Sequence, residues 1–140
     1  MTETFETIRY TADVVCIRGG DVLLIERGWP PFQGQYALPG GHVDPGETSR
    51  AAAARELLEE TGVQVAEDAL TLVGVYDTPD RDPRGRYVTV AYAVTVPAGT
   101  EAMAGDDATS AKWWPLDALP PLAFDHGQIV DDVFVRLTTT

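Results

Sequence analysis

Cysteine is almost missing from this chain. Cys16 is the only one, so no disulfide can form within one molecule, and its apolar neighbours mark it as a small core residue rather than a nucleophile. Basic residues are scarce as well: Lys and Arg number 10 against 22 Asp and Glu, a net charge of −12. That balance argues against a partner such as duplex nucleic acid or an anionic membrane surface. No apolar run is long enough to span a bilayer, and the polar stretch from Met1 to Thr7 has no signal-peptide core. A cytoplasmic location is expected. Internal repeats and low-complexity linkers are absent too. What remains, 140 residues with 44% hydrophobic side chains, suffices for one domain over 1–140 with its own core.

The acidic residues are not evenly spread. The run GHVDPGETSRAAAARELLEETGV, Gly41 to Val63, holds Glu47, Glu56, Glu59 and Glu60 around Arg55. After the turn-forming Asp44, Pro45 and Gly46, Thr48 offers a capping hydroxyl and Glu47 an early negative charge. Gly62 suits the left-handed position that ends a helix. The spacing predicts a helix from Thr48 or Ser49 to about Thr61, with Ala51 to Ala54 allowing close approach to a sheet. Glu56, Glu59 and Glu60 then share one face, where like charges repel by a few tenths of a kcal/mol per pair, on the order of the usual i,i+4 effect. A hard divalent cation, Mg²⁺ or Mn²⁺, gives such a cluster a reason to exist, since these ions prefer carboxylate and carbonyl oxygens. The plainer alternative is a solvated acidic face; Arg55 is expected to pair with Glu59 one turn on, which also suits an arginine that orients a metal-binding glutamate for catalysis.

Elsewhere the pattern alternates strands and helices. Arg9 to Ile17 and Val22 to Glu26 read as strands joined by a turn at Gly19, Gly20 and Asp21. A short extended piece is expected over Tyr36 to Leu38, with further strands at Ala69 to Tyr76, Tyr87 to Val96 and around Lys112 to Trp114. Gln128 to Arg136 carries Ile129, Val130, Val133 and Phe134 at helical spacing. A mixed sheet with helices on both faces is the economical α/β arrangement.

The acidic segment matches a known pattern: a glycine, five residues, a glutamate, seven residues, then Arg-Glu-aliphatic-any-Glu-Glu-any-Gly-aliphatic. Gly41, Glu47, Arg55, Glu56, Leu57, Glu59, Glu60, Gly62 and Val63 fill every fixed position. On these residues the chain resembles the Nudix hydrolases. The resemblance implies an α/β/α sandwich with a mixed β-sheet between helices. It also implies hydrolysis of a nucleoside diphosphate linked to a group X, with Glu56, Glu59 and Glu60 as metal ligands and the carbonyl of Gly40 or Gly41 adding another. A bound divalent cation also answers how so acidic a chain takes an anionic substrate. Glu56 or an acid outside the motif is expected as general base. Asp106 and Asp107 lie where some family members place such a residue, and Asp107 is the preferred candidate, although AGDDA is also a good turn sequence. A homodimer is the expected assembly.

Features outside the motif resemble ADP-ribose pyrophosphatases within that family. Pro79 falls 16 positions after Val63, the run TPDRDPRGRYVTVAY follows from Thr78, LAFDHGQIV stands near the C-terminus, and Gly28 to Gly34 reads GWPPFQG. Arg81, Arg84 and Arg86 crowd 3 of the 10 basic residues into six positions, which suits a clamp on phosphate or base; a Pro/Gly-rich hairpin kept soluble by arginine is the alternative. Gly41 is expected to approach the substrate closely, and Tyr76, Trp29 and Phe32 offer stacking surfaces, though strand aromatics commonly pack in the core. His42 is assigned to loop packing, and His126 to capping the last helix or lining the pocket. The expected reaction is ADP-ribose to AMP and ribose 5-phosphate. The same motif also serves nucleoside triphosphate pyrophosphohydrolases and, usually degraded and fused to a DNA-binding module, ADP-ribose sensors.

Overall fold

The computed structural model describes residues 3–105 and 108–139. In chain order the elements are β1 (Arg9–Arg18), β2 (Asp21–Arg27), β3 (Tyr36–Ala37), β4 (Gly40–His42), α1 (Ser49–Thr61), a 3₁₀ turn (Glu67–Ala69), β5 (Thr71–Tyr76), β6 (Tyr87–Thr95), β7 (Ala108–Pro115) and α2 (His126–Thr139). The expected strands and helices are present. Three local features differ from the sequence reading: β4 is an additional strand, Ala69 closes the 3₁₀ turn instead of opening β5, and β7 begins at Ala108 rather than near Lys112.

All seven strands join one mixed sheet, in which β3-β2-β1-β6-β5 lie in that order, β7 pairs with β2 and β4 pairs with β1. The centre is the parallel pairing of β1 with β6, in register from Arg9 opposite Tyr87 to Ile17 opposite Thr95. Strand β1 is shared at its two ends, with β2 beside Ile17 and Arg18 and with β4 beside Thr11, Ala12 and Asp13. Where β1 leaves β2 for β4, the sheet opens into a cleft.

Both faces of the sheet are covered, which is why the middle of β1 is a continuous apolar run rather than an alternating one. Val14 and Cys16 face α1 and pack with Ala52, Ala53, Leu57 and Leu23. Val15 and Ile17 face α2 and pack with Leu24, Val73, Ile129, Val130 and Val133. The alanines of α1 bring that helix close to the sheet, fixing the height of its carboxylates above the cleft.

Cys16 is fully buried, and burial pushes its thiol up to about 12 against a smaller opposing pull from Arg18. At neutral pH the thiolate is therefore nearly absent. We expect native protein to resist iodoacetamide for hours while urea-unfolded protein is labelled at the rate of a free thiol, as intact-mass spectrometry would show. Rapid labelling of the native form would contradict this packing.

Candidate active site

The site is built from α1 outward. Thr48 stands in extended conformation, and its hydroxyl accepts a 3.1 Å bond from the Ala51 N–H, while Gly62 ends the helix at φ 74° with its N–H donating to the Leu58 carbonyl. Glu47, just ahead of the helix, accepts from the Asp44 N–H and turns its carboxylate back to Arg55.

Arg55 is the hub. Its Nε and Nη2 donate to the two oxygens of Glu47 at 2.8 and 2.9 Å, Nη1 reaches Glu56 at 2.8 Å and Glu59 at 3.2 Å, and Nη2 also donates to the His42 carbonyl at 2.9 Å. The hydrogen bond from Arg55, helped by the Asp44 N–H, holds the Glu47 carboxyl down to about 2. The ion pair between Arg55 and Glu59 is thus one spoke of a larger fan joining the loop, β4 and the helix. Lysine can supply the charge but not the planar fork of donors. We therefore expect Arg55→Lys to lower turnover about 10- to 100-fold, the usual cost of removing a group that orients ligand carboxylates. A steady-state assay would read the loss, and unchanged kinetics would refute the orienting role.

On the inner side of α1, Glu60 is buried and its Oε1 accepts a 2.9 Å bond from the Gly40 N–H. Burial pushes the Glu60 carboxyl up to about 9, and the neighbouring charges of Glu56 and Asp13 add to the rise although the Gly40 bond opposes it. Gly41 is equally confined: a Cβ there would lie 2.6 Å from the Glu56 carboxylate. Among the described residues no three His, Cys, Asp or Glu side chains already converge as a metal cage, because Glu59 is turned to Arg55 while Glu56 and Glu60 approach each other. Crowded hard oxygens, short of positive charge on this side, fit a divalent cation that keeps some of its own water.

These groups edge an open cleft of about 460 Å³. Gly40, Gly41, Glu56 and Glu60 form one wall, and Arg27, Arg81, Arg84, Tyr87 and Phe124 form the other. Of the three arginines expected to act together, Arg81 and Arg84 line the cleft. Arg81 is bound bidentately to Asp125 at 2.9 and 2.6 Å; burial works against its charge, but Asp125 together with the charges of Asp13 and Asp82 overcomes it and strengthens its hold on its proton. Arg84 is bound to Asp82 in the same way. Arg86 does not join them and instead pairs with Glu6 at 3.4 Å. In so acidic a chain, each guanidinium of this loop has a carboxylate of its own.

The aromatic assignments divide similarly. Tyr76 lies away from the cleft, its hydroxyl donating to Asp132 of α2. Phe32 packs edge-on against Phe124, 5.0 Å between centroids, so it supports the wall without lining it. Trp29 does line it and is 67% exposed. His42 lies on β4 at the cleft edge near the Tyr87 ring, and His126 opens α2 at the cleft floor. Asp106 and Asp107 lie outside the described residues.

Several lining residues are not among those singled out from the sequence. Asp13 is a buried acid in an apolar strand, Arg27 ends β2, and Phe124 precedes α2 at φ 54°. The Arg27 guanidinium lies 4.9 Å from the Phe124 ring centre and that of Arg84 5.6 Å. Burial, then repulsion from Arg84, weakens Arg27's hold on its proton. A polar residue inside a run such as ADVVCI is the available clue to Asp13, and Phe124 lies within the run LAFDHGQIV; nothing comparable marks Arg27.

A NUDIX domain family model matches residues 7–133. The chain is 45% identical over 120 residues to an ADP-ribose pyrophosphatase of Methanocaldococcus jannaschii, covering 86% of this chain and 69% of that protein. Among solved structures, the NUDIX domain of Shewanella oneidensis NrtR complexed with ADP ribose superposes with a TM-score of 0.88 at 31% identity, covering 95% of this chain and 90% of that one. A bifunctional NMN adenylyltransferase/ADP ribose pyrophosphatase of Francisella tularensis, complexed with AMP and a Mn ion, gives 0.86 at 28% identity over 96% of this chain and 43% of the other.

Proposed function

The chain belongs to the NUDIX family, and from that premise we propose that it hydrolyses ADP-ribose to AMP and ribose 5-phosphate with the help of a divalent cation. The observation that carries the reading is the pairing of an intact acidic helix with an arginine-walled cleft, in a chain 45% identical to an ADP-ribose pyrophosphatase. Glu56 and Glu60, with Glu59 released from Arg55 and a carbonyl of Gly40 or Gly41, would hold the ion. Mg²⁺ is the proposed working metal and Mn²⁺ its substitute. When bound, such an ion supplies charge stabilisation at the diphosphate and an acidified water. The chain's own residues do the rest. Arg55 orients the carboxylates, Gly40 and Gly41 let the backbone come close, and Arg27 and Arg84 attract the anionic substrate. Asp107 is the proposed additional acid.

The proposed working form is a homodimer acting in the cytoplasm, with residues 1–140 as one catalytic unit; no described helix is long and apolar enough to cross a membrane. Sedimentation velocity tests the assembly. The activity test is turnover of a panel holding ADP-ribose, other ADP-sugars, NADH, diadenosine polyphosphates and dNTPs with Mg²⁺ or Mn²⁺. ADP-ribose is expected to lead by tenfold or more, with AMP released. A dNTP in front would assign the site to triphosphate pyrophosphohydrolysis, and tight ADP-ribose binding without turnover would assign it to sensing.

A further inference from the structure

His126 and Asp13 meet on the floor of the cleft, and neither is needed to hold a cation or to fold α1. The His126 ring is 5% exposed. Its Nδ1 accepts a 3.0 Å bond from the Leu38 N–H, so a neutral ring carries its proton on Nε2. Burial disfavours the charged form, outweighing the nearby carboxylates of Asp13 and Asp125. The Nε2 points toward Asp13, whose Oδ2 lies 3.8 Å away, too far to accept a hydrogen bond directly. That same Oδ2 takes the Thr89 hydroxyl at 2.5 Å, which fixes the carboxylate in place. A donor facing the cleft thus stands beside a fixed acceptor, and both residues line the cleft. A ligand that matches both groups at once gains two fixed hydrogen bonds, one of them to a charged acceptor.

The matching group must accept one hydrogen bond and donate another at nearly the same point. A phosphate does not qualify, since it cannot donate when ionised and Asp13 repels it. A nucleobase edge qualifies by its polar atoms but also wants an open aromatic face. None is open here. The Phe124 ring is taken by Arg27, Arg84 and the edge of Phe32, and the Tyr87 ring by Arg9 and Arg84. The open ring, Trp29, stands exposed at the rim. A hydroxyl on a sugar needs no such face.

We infer that Asp13 and His126 form the recognition site for a sugar hydroxyl of the group X, so that the floor of the cleft selects a sugar-bearing substrate over a bare diphosphate ester. This rests on reading the chain as a hydrolase or binder of nucleoside diphosphates linked to X. The expected signature is a preference of at least about tenfold in kcat/KM for ADP-ribose over the methyl ester of ADP, which keeps the diphosphate and lacks the hydroxyls.

His126→Asn keeps an acceptor for Leu38 and removes the Nε2–H. Asp13→Asn keeps an acceptor for Thr89 and removes the charge. Each is expected to bring the ADP-ribose to methyl-ADP ratio close to one, and because the ratio is taken within one variant, loss of folded protein cancels. A ratio near one in the unmodified protein, or a ratio unmoved in both variants, would overturn the inference. So would variants that shift discrimination between ADP-ribose and its hypoxanthine counterpart instead, which would place the base on the floor. If the unmodified protein turns over neither ester, the hydrolase reading fails separately, and the same ratio taken from calorimetric affinities still decides the floor.

Discussion

Glu60→Gln is expected to lower ADP-ribose turnover by at least about a thousandfold while leaving the protein folded. A divalent ion supplies several kcal/mol of charge stabilisation at a phosphoryl centre, and each 1.36 kcal/mol is about tenfold in rate. Losing about 4 kcal/mol therefore gives the stated loss. Glutamine keeps the volume of Glu60 and can still accept from the Gly40 N–H, so the packing of α1 on β4 survives. In the metal-free protein burial beside Glu56 and Asp13 already favours the uncharged carboxyl, which glutamine resembles, so the substitution leaves the local charge little changed. Turnover would be followed by AMP release and folding by circular dichroism. A variant that kept more than about a tenth of the activity would take Glu60 out of the cation site. What the substitution removes is the capacity to ionise and bind a cation, not the bulk of the side chain.

Gly40→Ala should abolish activity by a different route and cost stability as well. Gly40 pairs with Asp13 across β1 and β4, and a Cβ there would drive into the Asp13 carboxylate and the Ala12 carbonyl. The Asp13 side chain is pinned by Thr89 and the Ala12 carbonyl is backbone at the sheet centre, so neither gives way cheaply. Overpacking of this kind costs on the order of 3 kcal/mol, or roughly ten degrees of melting temperature for a domain of this size. Calorimetric melting of the purified variant checks the figure, and a shift under about two degrees would mean that β4 can lift away from β1 at little cost. Loss of the β4 contact also removes the Gly40 N–H from Glu60, so activity falls even in the fraction that remains folded.

Local signals were the ones the sequence carried. Thr48, the alanines and Gly62 determine α1 through capping and propensity, interactions complete within a few residues, and the helix runs Ser49–Thr61 as the pattern implies. Strand β4 went unread because Gly40 and Gly41 are poor strand formers whose pairing depends on β1, far back in the chain. The arginine loop shows the same limit. Its charge was legible, but which carboxylate each guanidinium meets was not, since Arg81 finds Asp125 44 positions later and Arg86 turns back to Glu6. Tyr76 was misplaced for that reason too, because its partner Asp132 belongs to the last helix. Asp13 and His126 lie 113 positions apart by their numbers, and only the closed fold brings them within 3.8 Å.

The parallel pairing of β1 with β6 carries a consequence for synthesis. Arg9 cannot meet Tyr87, nor Ile17 meet Thr95, until a long stretch of chain including α1 has been made, and closing loops of that length slows folding. A nascent chain ending soon after Val63 would hold the whole acidic helix with no sheet partner for β1 beyond β2 and β4, and with apolar strands exposed to their neighbours on the polysome. The cleft is thus completed late in translation, when the start of α2 brings His126 to its floor, and a chain halted earlier would hold its acidic helix beside a cleft with no floor.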